Sequence, residues 1–251
     1  MALAGLLLAG GCSTVPPQAR EQLRRAHQDY QAGRYAEATR QTSEFLAAYQ
    51  NSSPAAEALY IRALCHLRTG QRASAKRDLA TAHGWSQRDD LSARIDAILG
   101  GMALDAGNAA EAIERWQRAL PHLPDTPPTD QVLVRLGTAL REAGQWAESR
   151  RCFSRVLDRF PNSPWAPEAR TQLGWNHDYF TIQCGAFADP TGANRELARL
   201  RRGGLPVRME YDTRTAQPLF TLRVGHYATH DEATAALPQV RSKVPGAFIV
   251  P

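Results

Sequence analysis

The sequence is poor in cysteine and lacks long apolar runs beyond its amino terminus. Only four of its 251 residues are cysteine, and the three after Cys12 form no closely spaced pair. This odd count argues against a framework of disulfide bonds. We interpret Cys65, Cys152 and Cys184 as small buried hydrophobic residues. After residue 12 no stretch is long and apolar enough to span a membrane.

Patterns typical of catalysis or metal binding are also missing. The carboxylates suggest no general acid and base pair, and no nucleophile is placed beside a histidine with any specificity. His226 and His230 are four residues apart and close to Asp231, but they straddle a predicted turn and lack further ligands. We therefore expect a protein that is not an enzyme and that uses no metal or cofactor.

The charge balance is mildly basic, with a net charge of +5 and a pI of about 9.3. Such an excess suggests an anionic partner surface. It is too small and too dispersed to indicate a nucleic-acid partner.

The C-terminal 75 residues contain an internal repeat: the pattern of Phe180–Phe187 recurs forty residues later in Phe220–Tyr227. Each copy begins with an alternation of period two, which predicts a strand with one covered and one free face. An apolar pattern of helical period follows. Two such units predict a βαββαβ fold, a four-stranded antiparallel sheet with both helices on one side.

Both predicted helices of this repeat have residues suited to cap their first turn. Asp189 is placed to cap the first, and Thr229 with Glu232 forms a capping box for the second. Pro238 lies well inside the second helix. We expect a kink or a late helix start at that point, because proline disfavours a helix interior.

Polar residues alternate with the apolar ones along the predicted strands, and they share the face that the helices leave free. They are Thr181, Gln183, Arg208, Glu210, Thr221 and Arg223. Amide, hydroxyl and guanidinium groups suit sugar hydroxyls and N-acetyl groups, and an arginine can bind a carboxylate through two hydrogen bonds. Polar residues are also the default on the wet side of an antiparallel sheet. The residues alone leave both interpretations open.

Residues 178–251 resemble the SPOR domain. The resemblance is carried by the run Phe-Thr-Ile-Gln-Cys-Gly-Ala-Phe, followed by a helix, a Gly-Gly turn, and the runs Leu-Arg-Val-Gly-His-Tyr and Phe-Ile-Val. The resemblance implies an extracytoplasmic module of the bacterial envelope. Such modules bind peptidoglycan glycan strands stripped of stem peptides, which concentrate at division septa. The resemblance further implies glycan binding on the exposed sheet face. There Gln183 matches the family's first-strand glutamine and Arg223 a frequent third-strand arginine.

RNA-binding RRM domains share the plan of a sheet covered by helices on one side. They need aromatic residues on the open strands. Here Phe180 and Phe220 fall on the covered side, so we expect no nucleic-acid partner.

A second regularity organises the preceding part of the chain. Glycines recur at steps of 37 residues, at Gly33, Gly70, Gly107 and Gly144. Each unit predicts a helix, a tight glycine turn and a second helix, as in an α-solenoid whose hairpins bury their apolar faces against their neighbours.

The segments that begin at Gly107 and Gly144 resemble tetratricopeptide (TPR) repeats, with Pro124 and Pro161 where that family often closes its second helix. We predict four repeats and a closing helix near residues 164–176. The resemblance implies that a peptide or partner protein binds in the groove of the repeats.

The first residues are almost wholly apolar, and the run Leu-Leu-Leu-Ala-Gly-Gly that ends before Cys12 resembles a bacterial lipobox. The resemblance implies cleavage before Cys12 and acylation of its thiol. The residue after this cysteine is Ser13 rather than an aspartate, which in that family implies the outer membrane. Several acyl chains anchor a protein stably.

Together these patterns predict a two-domain, mainly α chain, an α-helical TPR-like solenoid followed by a ferredoxin-like α+β SPOR domain. The expected segments are a lipoprotein signal and lipobox (1–12), a linker (13–20), the helical repeats (21–176) and the SPOR domain (177–251). The expected function is that of a non-catalytic lipoprotein on the periplasmic face of the outer membrane, enriched at the septum. It would bridge denuded glycan strands to a protein partner. The alternative is a periplasmic TPR adaptor for envelope or outer-membrane protein assembly in which the SPOR domain is passive.

Overall fold

The structure is a computed structural model that describes residues 15–175, 177–213 and 217–251. The predicted signal and its Cys12 lie outside the described residues. The chain divides into two compact units, Met1–Leu123 and Pro124–Pro251. No helix in the described part of the chain combines the length and the apolar character that crossing a bilayer requires.

The described part of the first unit, from residue 15 onward, forms three helical hairpins. Its helices are α1 (Pro17–Gln31), α2 (Tyr35–Tyr49), α3 (Ala55–Arg68), α4 (Arg72–Trp85), α5 (Asp89–Asp105) and α6 (Ala109–Ala119). The glycines between paired helices, Gly33, Gly70 and Gly107, have φ angles of +76°, +78° and +80°. This left-handed conformation is strained for any residue with a Cβ atom. The periodic glycines therefore fix the hairpin turns, as predicted.

Small residues let the paired helices of the first unit approach closely. Gly100 of α5 faces Trp116 of α6, and a Cβ atom added to Gly100 would lie 2.7 Å from the indole Nε1. Trp116 is 1% exposed, and its Nε1 donates a hydrogen bond to the carbonyl of Ala97 at 3.0 Å. The indole thus fills the space that the glycine leaves free.

The second unit contains a fourth hairpin, a closing helix and the sheet. Its elements are α7 (Thr129–Glu142), α8 (Trp146–Arg159), α9 (Ala166–Leu173), β1 (Phe180–Phe187), α10 (Pro190–Arg202), β2 (Val207–Asp212), β3 (Leu219–Tyr227), α11 (His230–Arg241) and β4 (Phe248–Val250). The strand order is β2-β3-β1-β4, and all neighbouring strands are antiparallel. Ile182, Leu200 and Leu222 form the centre of the core between the sheet and its helices. The predicted βαββαβ fold is confirmed.

Side-chain caps begin both helices of this domain. The carboxylate of Asp189 accepts a hydrogen bond from the Gly192 amide at 2.8 Å, and the Thr229 hydroxyl accepts one from the Glu232 amide at 3.2 Å. Of the two alternatives expected at Pro238, a kink or a late start, the late start is wrong, because α11 begins at His230 and continues through the proline to Arg241. The cap at Thr229 sets the start, and the helix tolerates the loss of one backbone hydrogen bond.

The fourth hairpin packs directly on the sheet domain. The Trp146 ring lies 5.0 Å from the Phe180 ring, and its Nε1 donates a hydrogen bond to the Ala228 carbonyl at 3.2 Å. Both rings are buried and contact Ala233 of α11. A chain that began at residue 177 would leave Phe180 without this cover. Apolar packing therefore joins the fourth hairpin to the sheet domain, on either side of the predicted domain boundary.

We expect Gly100→Ala to destabilise the first unit, because its Cβ atom would displace the Trp116 indole. Such overpacking lowers the free energy of unfolding by about 1–3 kcal/mol. The measurement is urea unfolding followed by circular dichroism and tryptophan fluorescence.

Gly84→Ala is the matched control. Gly84 is an exposed glycine of α4, and a Cβ atom added there meets nothing within 4 Å. This variant should be unchanged or more stable by up to about 1 kcal/mol. Equal unfolding midpoints for the two variants would contradict the role given to Gly100.

Candidate functional site

The strand register collects the predicted polar residues on the side of the sheet opposite α10 and α11. We call this side the open face. It carries Thr181, Gln183, Arg208, Glu210, Thr221, Arg223 and Phe248.

One row of the open face crosses all four strands. Arg208 of β2 pairs with Arg223 of β3, and Arg223 pairs with Gln183 of β1. Gln183 in turn pairs with Phe248 of β4. Side chains that are directly opposite each other in a sheet point to the same side. The row therefore places a glutamine between an arginine and an aromatic ring.

Arg223 lies on the predicted face, but it is 2% exposed. Its Nη1 donates to a Glu210 carboxylate oxygen at 2.8 Å, and its Nη2 donates to an Asp212 oxygen at 3.2 Å. Its guanidinium carbon also lies 6.0 Å from the centre of the Trp175 ring. Arg223 thus lies on the predicted face, but the expectation that it is exposed there is wrong, because its guanidinium is buried and held by two carboxylates. A cation in the middle of the sheet is neutralised by two carboxylates of the neighbouring strand.

Three rings that precede β1 lie against the open face. We call Trp175, His177 and Tyr179 the aromatic segment. The His177 and Tyr179 rings stack with centres 4.2 Å apart, and Tyr179 lies 4.0 Å from the His226 ring. Asp178 pairs with Arg150 of α8, so the segment is anchored to the fourth hairpin as well. The aromatic segment therefore covers the part of the open face nearest β2.

Arg208 and Glu210 are half-buried and bind each other. The Arg208 Nε donates to a Glu210 carboxylate oxygen at 2.6 Å, and its Nη1 donates to the Gly225 carbonyl at 2.8 Å. The Tyr179 ring centre is 5.7 Å from the Arg208 guanidinium carbon. The side chains of Arg208 and Glu210 keep 28% and 30% of their accessible surface. Both residues thus remain within reach of a ligand.

Thr181 and Thr221 are buried, contrary to the expectation that they lie exposed on this face. Thr181 is 0% and Thr221 2% exposed. The Thr221 hydroxyl donates to the Glu210 carbonyl at 3.3 Å. Short side chains in the central strands are covered by their longer neighbours, so these two hydroxyls face other residues of the domain.

Gln183 and Phe248 form the accessible part of the row. The Gln183 carboxamide makes no hydrogen bond to any residue that the structure describes, and Phe248 is 49% exposed. Phe248 is not among the site residues that the strand pattern predicts. The signal was present, because Ile249 packs against the core and the period of two then puts Phe248 on the open face. The aromatic segment lies before the strand pattern begins, so no such periodicity marks it.

The cysteines and the two histidines considered as a metal pair are held in packing contacts. The three described cysteines are free, and burial raises the pKa of the Cys152 and Cys184 thiols to about 11. His226 and His230 contact different rings, Tyr179 and Phe180. In the described ranges no three His, Cys, Asp or Glu side chains are grouped as a metal site requires.

Comparison with protein families gives three matches. The SPOR domain model matches residues 176–251, and tetratricopeptide repeat models match residues 23–79 and 131–163. The chain combines tetratricopeptide repeats with a C-terminal SPOR domain. The repeat matches cover the first two hairpins and the fourth. Both families are binding modules, which implies peptidoglycan binding by the SPOR domain and protein interaction by the TPR hairpins.

Solved structures are similar to parts of this chain. A tetratricopeptide repeat protein from Parabacteroides merdae is 13% identical with a TM-score of 0.50, over 63% of this chain and 59% of its own. The chain thus spans little more than half the length of that protein. The structure of pilF from Pseudomonas aeruginosa is 17% identical with a TM-score of 0.49, over 91% of this chain and 93% of its own. The first likeness shows the TPR fold alone. No curated protein gave a significant match.

We expect Arg223→Ala to destabilise the SPOR domain, because it leaves Glu210 and Asp212 without their shared cation. Removing one partner of a fully buried ion pair costs about 3–5 kcal/mol. The Glu210 side chain keeps 30% of its surface, so we expect a smaller loss, on the order of 2 kcal/mol. Thermal unfolding of the variant and the parent protein measures this difference.

Arg195→Ala is the control, since Arg195 is exposed on α10 and forms no ion pair with a described residue. Arg223→Lys should fall between the two variants, because lysine keeps the charge but cannot bind both carboxylates through a planar fork. Unfolding of Arg223→Ala at the same temperature as Arg195→Ala would contradict the structural role.

Proposed function

We propose that the open face of the SPOR domain binds peptidoglycan glycan strands stripped of stem peptides, and that Gln183 and Phe248 make the main contacts. The observation that carries this proposal is their adjacency. An amide with no hydrogen-bond partner among the described residues is paired across strands with an exposed aromatic ring. The SPOR match to residues 176–251 supports the choice of ligand.

The chemistry of these groups fits a sugar polymer. A carboxamide both donates and accepts hydrogen bonds, as the hydroxyl and N-acetyl groups of a glycan require. An aromatic ring offers an apolar face against which the C–H side of a pyranose can pack. Arg208 takes the role first expected of Arg223. Its side chain keeps 28% of its surface and can reach a lactyl carboxylate of muramic acid.

The whole chain would then act as a non-enzymatic bridge in the cell envelope. Acylated Cys12 would hold it to the periplasmic face of the outer membrane, and the SPOR domain would hold denuded glycan, which is concentrated at division septa. The TPR hairpins would hold a protein partner. In this role the protein brings that partner to sites where the wall divides.

A second candidate function is favoured by the burial of Arg223. A SPOR domain whose central arginine is neutralised internally could be passive, and the chain would then be a periplasmic TPR adaptor for envelope or outer-membrane protein assembly. The two functions differ in whether the open face binds glycan at all.

We expect Gln183→Ala and Phe248→Ala each to weaken binding to glycan, because each removes one accessible contact. The loss of one such contact corresponds to about fivefold to tenfold in affinity. The measurement is co-sedimentation of the purified chain from residue 13 onward with amidase-treated sacculi. The chain is used in this form because the fourth hairpin covers Phe180.

Two exposed helical residues outside the sheet provide the controls, Gln239 on α11 and Trp85 on α4. Their alanine variants should sediment like the parent protein. Undiminished sedimentation of the Gln183→Ala, Phe248→Ala double variant would reject this site, and no sedimentation of the parent protein would favour the passive-domain function. Septal enrichment of a fluorescent fusion tests the cellular role separately.

We expect Cys12→Ser to abolish lipidation, because the thioether to the lipid requires the cysteine sulfur. The variant should lose incorporation of a clickable fatty acid and move from the membrane fraction to the soluble fraction. Cys65→Ser, which alters a buried cysteine of α3, should keep the label. Equal labelling of both variants would show that Cys12 is not the acylated residue.

A further inference from the structure

The first helices of the three hairpins in the first unit share a groove, which we call the hairpin groove. A cavity of about 440 Å³ lies in it, lined among others by Arg20, Leu23, Arg24, Glu57, Arg88 and Leu91. These residues come from α1, from α3 and from the start of α5. The volume is within the range of about 300–1,000 Å³ that is typical of ligand pockets. The groove is therefore large enough to hold several side chains of a partner.

One arginine in the lining of this cavity has no carboxylate partner. Arg24 binds Glu21 at 2.7 Å, and Arg88 binds Asp90 at 2.7 Å and Glu57 at 3.5 Å, so these two arginines are neutralised locally. Arg20 has no ion pair with any residue in the described ranges. A guanidinium without a carboxylate partner leaves positive potential at the wall of the groove.

Two further arginines of the first helices, Arg68 and Arg94, lie near Tyr30 and Tyr60. Arg68 at the end of α3 is hydrogen-bonded to the Tyr30 hydroxyl, which raises the pKa of the guanidinium. Arg94 of α5 lies near Tyr60, where its charge opposes the rise in the Tyr60 pKa that burial causes. Neither arginine has a carboxylate partner among the residues that the structure describes. Each first helix of the three hairpins thus carries one arginine without a carboxylate partner, namely Arg20 on α1, Arg68 on α3 and Arg94 on α5.

The floor between these cations is aromatic and apolar. Tyr30 and Tyr60 are partly buried and pack on the core of the first unit, as does Leu67. Tyrosine rings provide apolar contact area together with a polar tip, which is why such residues are common at protein interfaces. The floor can take apolar side chains while the cations take carboxylates.

We propose that the hairpin groove binds an acidic segment of a partner protein in which Asp or Glu residues alternate with apolar ones. The inference rests on the proposed function, because it names the chemistry of the partner that the repeats hold. Arginine binds carboxylates through two parallel hydrogen bonds, and Arg20, Arg68 and Arg94 lack such partners. The floor of tyrosine and leucine side chains offers apolar contacts that a sugar-phosphate backbone does not use. The combination of cations with an apolar floor therefore favours a protein segment over a nucleic acid.

The test is selection of a random peptide library displayed on phage against the chain from residue 13 onward. Enriched peptides should be rich in Asp and Glu with interspersed apolar residues. A synthetic copy of the most enriched peptide should then bind the Arg20→Ala, Arg68→Ala, Arg94→Ala variant at least about tenfold more weakly, by fluorescence anisotropy. Its affinity for the parent protein should fall as salt rises.

Arg77→Ala is the matched control, because Arg77 is exposed on α4 and donates a hydrogen bond to the Ser74 hydroxyl of the same helix. It should bind the peptide like the parent protein. Arg20→Glu with Arg94→Glu is a second test should the triple variant fold poorly, and it should shift the selection towards Lys-rich peptides. Circular dichroism checks that each variant is folded.

The outcomes separate this inference from the proposed function. Enriched peptides that are not acidic, or that bind the triple variant undiminished, would overturn the acidic partner while leaving peptide binding intact. The absence of any enriched peptide would contradict both. Displacement of the acidic peptide by a lower concentration of a single-stranded DNA oligonucleotide would overturn the choice of a protein partner. Glycan co-sedimentation is unaffected by any of these results.

Discussion

The arrangement of the sheet depends on how it accommodates a cation at its centre. Arg223 is on β3, between β2 and β1, and it is almost inaccessible to solvent. A charge removed from water in this way has to be paired, and Glu210 and Asp212 of β2 supply the two carboxylates. The ion pairs link β2 to β3 through side chains as well as through the backbone ladder. They also occupy the guanidinium that the family resemblance suggested as a ligand contact.

This constraint divides the open face into two parts. Towards β2, the aromatic segment covers the paired charges, and the rings of Tyr179 and Trp175 lie near the two arginines. Towards β4, Gln183 and Phe248 remain accessible. A ligand that approaches the sheet therefore meets an amide and a ring before it meets a charge. Recognition of a largely neutral sugar chain is the chemistry that such a surface favours.

The arginines of this chain have two different surroundings. Arg150 and Arg223 each have a carboxylate partner and join parts of the second unit to one another. In the first unit, Arg20, Arg68 and Arg94 have no such partner among the described residues, although Asp29, Asp78 and Asp96 are buried nearby with partners of their own. The paired arginines stabilise the fold, whereas the three without a carboxylate partner are those that we propose to bind an acidic partner segment.

Periodicity in the sequence was sufficient to predict both folds, because each is built from a local repeat. The step of 37 residues gave the glycine turns, and the duplicated octet gave the strands, their covered sides and the caps at Asp189 and Thr229. The same alternation correctly placed Gln183 and Arg223 on one face. Accessibility on that face could not be predicted, since it depends on Asp212 and Trp175, which meet Arg223 only through tertiary contacts. The sequence by itself thus determined which side of the sheet each residue faces, because side-chain direction is a local property of the backbone. Only the tertiary structure decided which of those residues water or a ligand can reach, because burial depends on distant parts of the chain that pack above them.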